Sequence, residues 1–310
     1  MSQTTNTILM IRPINFRMNE QTSINNYFQE DIDFKNAEIN AKAQAEFDDF
    51  VEKLRAVGVN VIVEEDDKLM DTPDSIFPNN WVSFHSNGNV GLYPMFAENR
   101  RQERRDDVFI RLEQEGFKIE NIIDYTSAED EDIFLEGTGS LLLDRVNHKA
   151  YCALSARADE ELFIEFCEDF EYTPVVFTAN QTVEGKRLAI YHTNVMMCLA
   201  EKFAVICLDS IDDKKERKNV IKHLKQDGKE IIEISEAQMH QFAGNMLQVK
   251  GHQNQRYLVM SKAAHDCLTP KQVSAIEKFC PIISSSLETI ETCGGGSARC
   301  MMAEVFLPKV

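Results

Sequence analysis

The chain has 310 residues, 43% hydrophobic and 27% charged, the balance of a globular protein with a sizeable core. Its formal net charge of −18 sets it against polyanions, so neither nucleic acid nor an acidic membrane surface is an expected partner. No run approaches the roughly 18 uninterrupted apolar residues of a membrane helix, no leader pattern opens the chain, and eight cysteines lie scattered in apolar segments such as "AYCALS", which together predict a cytoplasmic protein with reduced thiols.

In chain order, "TILMIRP" reads as a first strand. The stretch after it, "NFRMNEQTSINNYFQ" (15–29), is polar with aromatics and lacks a helical stripe; its position predicts a lid over a site. Residues 37–58 carry apolar residues at helical spacing and end at Gly58, and "NVIVEE" supplies another strand. A pattern then recurs. "NNWVSFHSNGNVGLYPMF" from Asn79, "TGSLLLDRVNHKAYCALS" from Thr138, "TNVMMCLAEKFAVICLDS" from Thr193 and "GNMLQVKGHQNQRYLVMS" from Gly244 each join two apolar runs through a polar turn. The turns fall at Asn87-Gly88, Asn147-His148, Glu201-Lys202 and Gly251-His252. "SARCMMAEVFLP" from Ser297 is a shorter fifth copy.

Helical patterns follow the hairpins: "RRDDVFIRLEQEGF", "RADEELFIEFCEDF", "DDKKERKNVIKHLKQDG" and "TPKQVSAIEKFC". "PVVFT" and "EIIEIS" supply third strands, and the basic run "NRRQERR" (99–105) reads mostly as a solvated face. The unit is strand-strand-helix-strand, repeated roughly every 50–60 residues, a period of arrays and propellers. The last copy lacks its second half, which the N-terminal strand can complete. The expectation is an α/β protein, a single domain over 1–310 built as a pseudo-fivefold β/α propeller of ββαβ units, whose closure would remove sheet edges. An open mixed sheet with helices on both faces is the alternative.

Equivalent positions at or just before the first strand of each unit are Asn80, Glu136, His192, Asn245 and Cys300. In a ring they converge on the axis. Cys300 then becomes a candidate nucleophile, and His192, in a stretch with no other charge, its base or ion-pair partner. Glu136, a carboxylate in an apolar stretch, needs a cationic or hydrogen-bonding partner, which a substrate's N–H groups could supply. Gly294–Gly296 precede no phosphate-loop Lys and are expected to clear space beside the thiol. Cys293 lies off the repeat position and reads as structural. Neither C-x-x-C nor H-E-x-x-H occurs, so no metal and no other cofactor is expected.

These residues bring a resemblance with them, covering nearly the whole chain. "PDSIFPNNW" (73–81), "LEGTGS" (135–140), "SAR" (155–157), "HTN" (192–194) and "GGGSARCM", in this order and spacing, resemble the motifs of the guanidine-modifying superfamily of arginine deiminases, dimethylarginine hydrolases and amidinotransferases. The resemblance implies the pentein-type fivefold propeller fold. It also implies that Cys300 attacks the central carbon of a guanidino or ureido group, that His192 protonates the departing amine and then activates water, that Glu136 orients the substrate nitrogens, and that Arg157 pairs with an α-carboxylate. Asn80 and Asn194 stand where relatives taking the arginine cation commonly carry aspartate. An amide donates to a urea oxygen and an aspartate cannot, so the chain leans toward a neutral ureido amino acid, citrulline cleaved to ornithine. Asp74 is expected to hold the substrate's ammonium or to orient His192. Tyr93 stands where some relatives carry a second carboxylate-binding arginine, a place Arg100 or Arg101 could take. Amidinotransferase, arginine-deiminase-like and dimethylargininase-like activities are the enzymatic alternatives, and a non-catalytic binding protein of the same fold is the other class. The partner expected is a small ureido or guanidino amino acid; self-association into a homo-oligomer is left open.

Overall fold

The computed structural model describes residues 2–30, 35–67 and 69–310. The described residues form five three-stranded sheets and one two-stranded sheet. Four sheets repeat one plan. Val82–Phe84 pairs antiparallel with Asn89–Leu92, which pairs parallel with Asn121–Asp124. The same order recurs in Leu141–Asp144, Lys149–Leu154 and Thr173–Thr178, in Met197–Leu199, Phe203–Ile206 and Glu230–Glu233, and in Leu247–Lys250, Arg256–Ser261 and Ile282–Ser285. A parallel pair cannot be joined by a tight turn, so a helix crosses between second and third strands. These crossovers are Asp106–Gln114, Glu160–Asp169, Lys214–Gln226, and the pair Lys262–Cys267 and Pro270–Glu277.

The fifth sheet draws on both ends of the chain. Ala303–Glu304 lies antiparallel to Thr7–Arg12, which lies parallel to Asn60–Glu65 across the helix Asn36–Ala56. The N-terminal strand thus completes the last unit, as the repeat predicts. The middle strands read as continuous apolar runs because they are buried on both faces: all of Phe203–Ile206 is buried, as is all of Thr7–Ile11. The helices meet their sheets through apolar stripes such as Phe47, Phe50, Val51 and Leu54. Their starts are set by short polar side chains. Asp159 accepts from the Leu162 N–H, and Thr269 forms a capping box with Gln272 ahead of Pro270.

Three details depart from expectation. Residues 99–105 are not a plain solvated face: Glu98–Glu103 is a 3₁₀ helix that buries Arg100 at 2% exposure. The turn at Gly251-His252 widens into a 3₁₀ turn, His252–Asn254. An additional hairpin, Asn180–Val183 with Lys186–Ala189, turns through Glu184 and Gly185, both at positive φ. Among the described residues no helix is long and apolar enough to cross a membrane.

Candidate active site

The five equivalent positions lie in five equivalent turns. Asn80 ends the 3₁₀ helix Pro78–Asn80, started by Pro78. Glu136 and His192 each stand immediately before a four-residue helix, Gly137–Ser140 and Thr193–Met196. Asn245 closes a turn by donating its N–H to the Phe242 carbonyl (2.8 Å), and Cys300 does the same to Ser297 (3.0 Å). Neighbouring units fix these turns on one another. Thr193 Oγ1 donates to the Ser140 carbonyl (2.6 Å) and accepts from the Ala153 N–H (2.8 Å), while Ser140 Oγ donates to the Arg157 carbonyl (2.8 Å).

The turns bring their side chains to one place. Asp74, Phe77, Asn80, Arg100, Arg157, Tyr191, His192 and Cys300 line one narrow cavity with room for about one water. His192 Nε2 lies 2.6 Å from Glu136 Oε2, which assigns Nε2 as the donor and leaves Nδ1 as the acceptor. Burial pushes the imidazole down to about 4 against the pull of Glu136, and Arg157 and Arg100 add to the drop. Burial alone would raise the Glu136 carboxyl, but Arg157, the His192 hydrogen bond and Arg100 outweigh it and hold the group well below the usual carboxylate range. The resting pair is a carboxylate and a neutral imidazole. Gly139 permits the close approach of Asn80 Nδ2 and His192 Nδ1, because a Cβ there would overlap both.

Glu136 differs from expectation in its partners. Oε1 accepts from the Phe96 N–H (3.0 Å) and Oε2 is held by His192, with Arg157 Nη1 at 3.5 Å. Both oxygens are satisfied within the protein, an arrangement that fixes the orientation of His192. Asp74 has one oxygen bonded to Asn19 Nδ2 (2.8 Å) and Thr22 Oγ1 (3.2 Å), while Oδ1 is buried without a partner and burial raises its pKa. Asn194 Nδ2 lies 3.4 Å from Cys300 Sγ. Arg157 is in the site but engaged: its Nε donates to Asn25 Oδ1 (2.9 Å) and its Nη2 to the Thr22 carbonyl (2.9 Å) and again to Asn25. These partners belong to the predicted lid. Residues 19–29 cover the cavity, with Asn26 donating to the Gly294 and Gly295 carbonyls and Gln29 to that of Cys293. Phe16, inside the predicted lid stretch, is instead a core residue.

Gly294 and Gly296 line the cavity with Cys300, and the glycine run makes room for more than the thiol. A Cβ on Gly294 or Gly296 would strike the Phe77 ring, and one on Gly295 (φ 60°) would strike Asn26. Cys293 packs in the core. Between the two candidate arginines, Arg100 is in the site and Arg101 is not: Arg101 donates to the Met95 carbonyl and faces Glu129. Arg100 is clamped bidentately by Glu103 (2.8 and 2.9 Å) and points Nη1 at Asn80 Oδ1 (2.9 Å). Its place beside Asn80 escaped the sequence because it sits in a basic run that resembles a surface. Asn245 was placed by the repeat, but its contact with Cys300 Sγ (3.2 Å) was not foreseen.

Comparison with known proteins places this site in a family. A family profile described as "N,N dimethylarginine dimethylhydrolase, eukaryotic" matches residues 12–307. No curated protein sequence matches. Among solved structures, ArgZ, an arginine dihydrolase from the ornithine–ammonia cycle in cyanobacteria, superposes over 98% of this chain and 41% of its own, at 17% identity and TM-score 0.73. The chain thus spans about two fifths of full-length ArgZ. It covers 99% of the isolated ArgZ N-terminal domain bound to product, at 17% identity and TM-score 0.69 over 97% of this chain. A dimethylarginine dimethylaminohydrolase adduct with S-methyl-L-thiocitrulline aligns at 15% identity and TM-score 0.62, covering 96% of this chain and 98% of that one. At these identities the structures speak for the fold, and the profile for the family: the chain belongs to the N,N-dimethylarginine dimethylhydrolase family of the guanidine-modifying superfamily.

Proposed function

We propose that the protein is a cysteine hydrolase of a ureido amino acid, converting citrulline and water to ornithine, carbon dioxide and ammonia. The observation that carries the choice of substrate is the orientation of Asn80. Arginine offers only donors, so Arg100 Nη1 must meet the amide oxygen of Asn80. That leaves Asn80 Nδ2 buried with no acceptor, in a residue that lines the cavity. A ureido oxygen satisfies this donor, and a guanidinium, all donors, does not.

Cys300 attacks the ureido carbon as its thiol proton passes to His192 Nδ1. The carbon–nitrogen bond breaks, and His192 returns that proton to the leaving nitrogen. Water attacks the thio-linked carbonyl and gives a proton to His192; the carbon–sulfur bond breaks, the sulfur recovers the proton, and the released carbamic acid falls apart into carbon dioxide and ammonia. Glu136 keeps the imidazole in the tautomer that leaves Nδ1 as the acceptor. Asp74 Oδ1 takes the substrate's ammonium, and Arg157 its carboxylate once Asn25 withdraws. Asn194 supports the sulfur. We read the five sheets as closing into one propeller domain, supported by the fifth sheet's use of both chain ends.

A guanidino substrate is the second reading. The family profile is named for dimethylarginine, and two carboxylates, Asp74 lining the cavity and Glu136 behind His192, sit within 4 Å of Arg100. A panel of citrulline, arginine, methylated arginines and agmatine, with ornithine and ammonia both assayed, separates the readings. Ornithine from citrulline, lost in Cys300→Ala, supports the proposal; activity that survives Cys300→Ala overturns it.

A further inference from the structure

The reading of Cys300 as nucleophile leaves one requirement unmet. Cys300 is buried at 3% exposure, and its sulfur carries negative charge twice in the cycle, as its proton leaves and when the carbon–sulfur bond to the substrate breaks. His192, driven toward its neutral form, is not a resting imidazolium partner, and a ureido group brings no positive charge to the carbon under attack. We propose that Asn245 is a further catalytic residue, whose side-chain amide donates to the Cys300 sulfur and stabilises that charge. This rests on the preceding assignment of Cys300.

The geometry fixes Asn245 for the task. Its Oδ1 accepts the Arg299 backbone N–H at 3.0 Å. Nδ2 gives one hydrogen to the Asn194 carbonyl at 3.1 Å and the other to Cys300 Sγ at 3.2 Å. Rotating the amide by half a turn would set oxygen against the Asn194 carbonyl and NH₂ against the Arg299 N–H, so the donor toward sulfur is enforced. Asn194 shares the work less selectively, with Nδ2 at 3.4 Å and Oδ1 at 3.8 Å from the same sulfur. Asn245 is wholly buried, so its bond to an ionised sulfur is unscreened by water. In the first step the proton leaves sulfur for His192 Nδ1 as the carbon–sulfur bond forms. In the last, that bond breaks, its electron pair stays on sulfur under the Asn245 donor, and His192 returns the proton.

The test is iodoacetamide alkylation of the intact protein, followed by mass spectrometry of the Cys300 peptide. Asn245→Asp keeps an acceptor for Arg299 and removes the donor. We expect alkylation at pH 7 to slow about tenfold or more and to approach the wild-type rate near pH 10, with kcat falling and KM nearly unchanged. A folded Asn245→Asp protein alkylated at the wild-type rate at pH 7 overturns the proposal. His192→Gln supplies a second arm, which also decides the matter if Asn245→Asp does not fold. If the amides hold the charge, Cys300 alkylation in His192→Gln stays within about threefold of wild type. A collapse of alkylation there assigns the charge to the imidazole and overturns the proposal. Failure of the underlying reading is visible separately, as turnover that persists in Cys300→Ala.

Discussion

A histidine bonded to a carboxylate ordinarily gains basicity, and His192 loses it. Burial outweighs Glu136, and two arginines whose charge also reaches the ring deepen the loss. Because His192 must be neutral to take the thiol proton, a depressed pKa widens the range in which it can act. The acid limb of kcat/KM against pH is therefore expected near pH 4, where an ordinary histidine would place it near 6.5. A limb at 6.5 would show that the imidazole is not buried in the working enzyme. At this scale Asn80, Glu136, His192 and Cys300 were legible because a repeat marks equivalent positions even where residue types differ. Arg100 could be named only as one of two candidates with Arg101, since burial of one arginine in "NRRQERR" depends on Glu103 and Asn80 meeting it in space. The partners of Arg157 were hidden for the same reason: Asn25 is 132 positions away in sequence.

Among the elements, the segment 19–29 and the turn at Gly294–Gly296 act as one closure. Asn26 spans the carbonyls of Gly294 and Gly295, and Tyr191 Oη donates to the Gly295 carbonyl as well. Since the cavity admits about one water, the site must widen to take an amino acid, and we propose that this segment moves to do so. Limited proteolysis within 19–29 is expected to slow when citrulline or ornithine saturates the protein; cleavage indifferent to both would count against a lid. Gly295→Ala asks an alanine to adopt φ of 60° against the Asn26 side chain. We expect a loss of roughly 1–3 kcal/mol in urea unfolding, and an unchanged midpoint would mean the lid yields freely. The helices and most strands could be read within a few residues because apolar period and caps are local signals. The hairpin at 180–189 was missed although its Glu184-Gly185 turn was there to be read, because it interrupts the repeat between one unit's third strand and the next unit's entrance.

Across the molecule, adjacent units are tied by buried polar contacts as well as by apolar packing. Lys229, ahead of the strand Glu230–Glu233, places Nζ 2.9 Å from Asp144 Oδ2 at the end of Leu141–Asp144, with both side chains fully buried. Lys229→Met would leave Asp144 a buried anion supported only by Asn147, and a loss of about 3–5 kcal/mol in urea unfolding is expected. A loss below about 1 kcal/mol would place the pair in solvent-like surroundings. For the whole protein the deciding property is whether the site takes a neutral ureido group or a cationic guanidino group. The most direct measurement is kcat/KM for citrulline and for arginine under identical conditions, followed by ornithine release, in the wild type and in Asn80→Asp. Citrulline is expected to be favoured by at least about tenfold in the wild type, with the ratio shifted toward arginine when the unpartnered amide donor becomes an acceptor. Arginine turned over faster than citrulline by the wild type would contradict it.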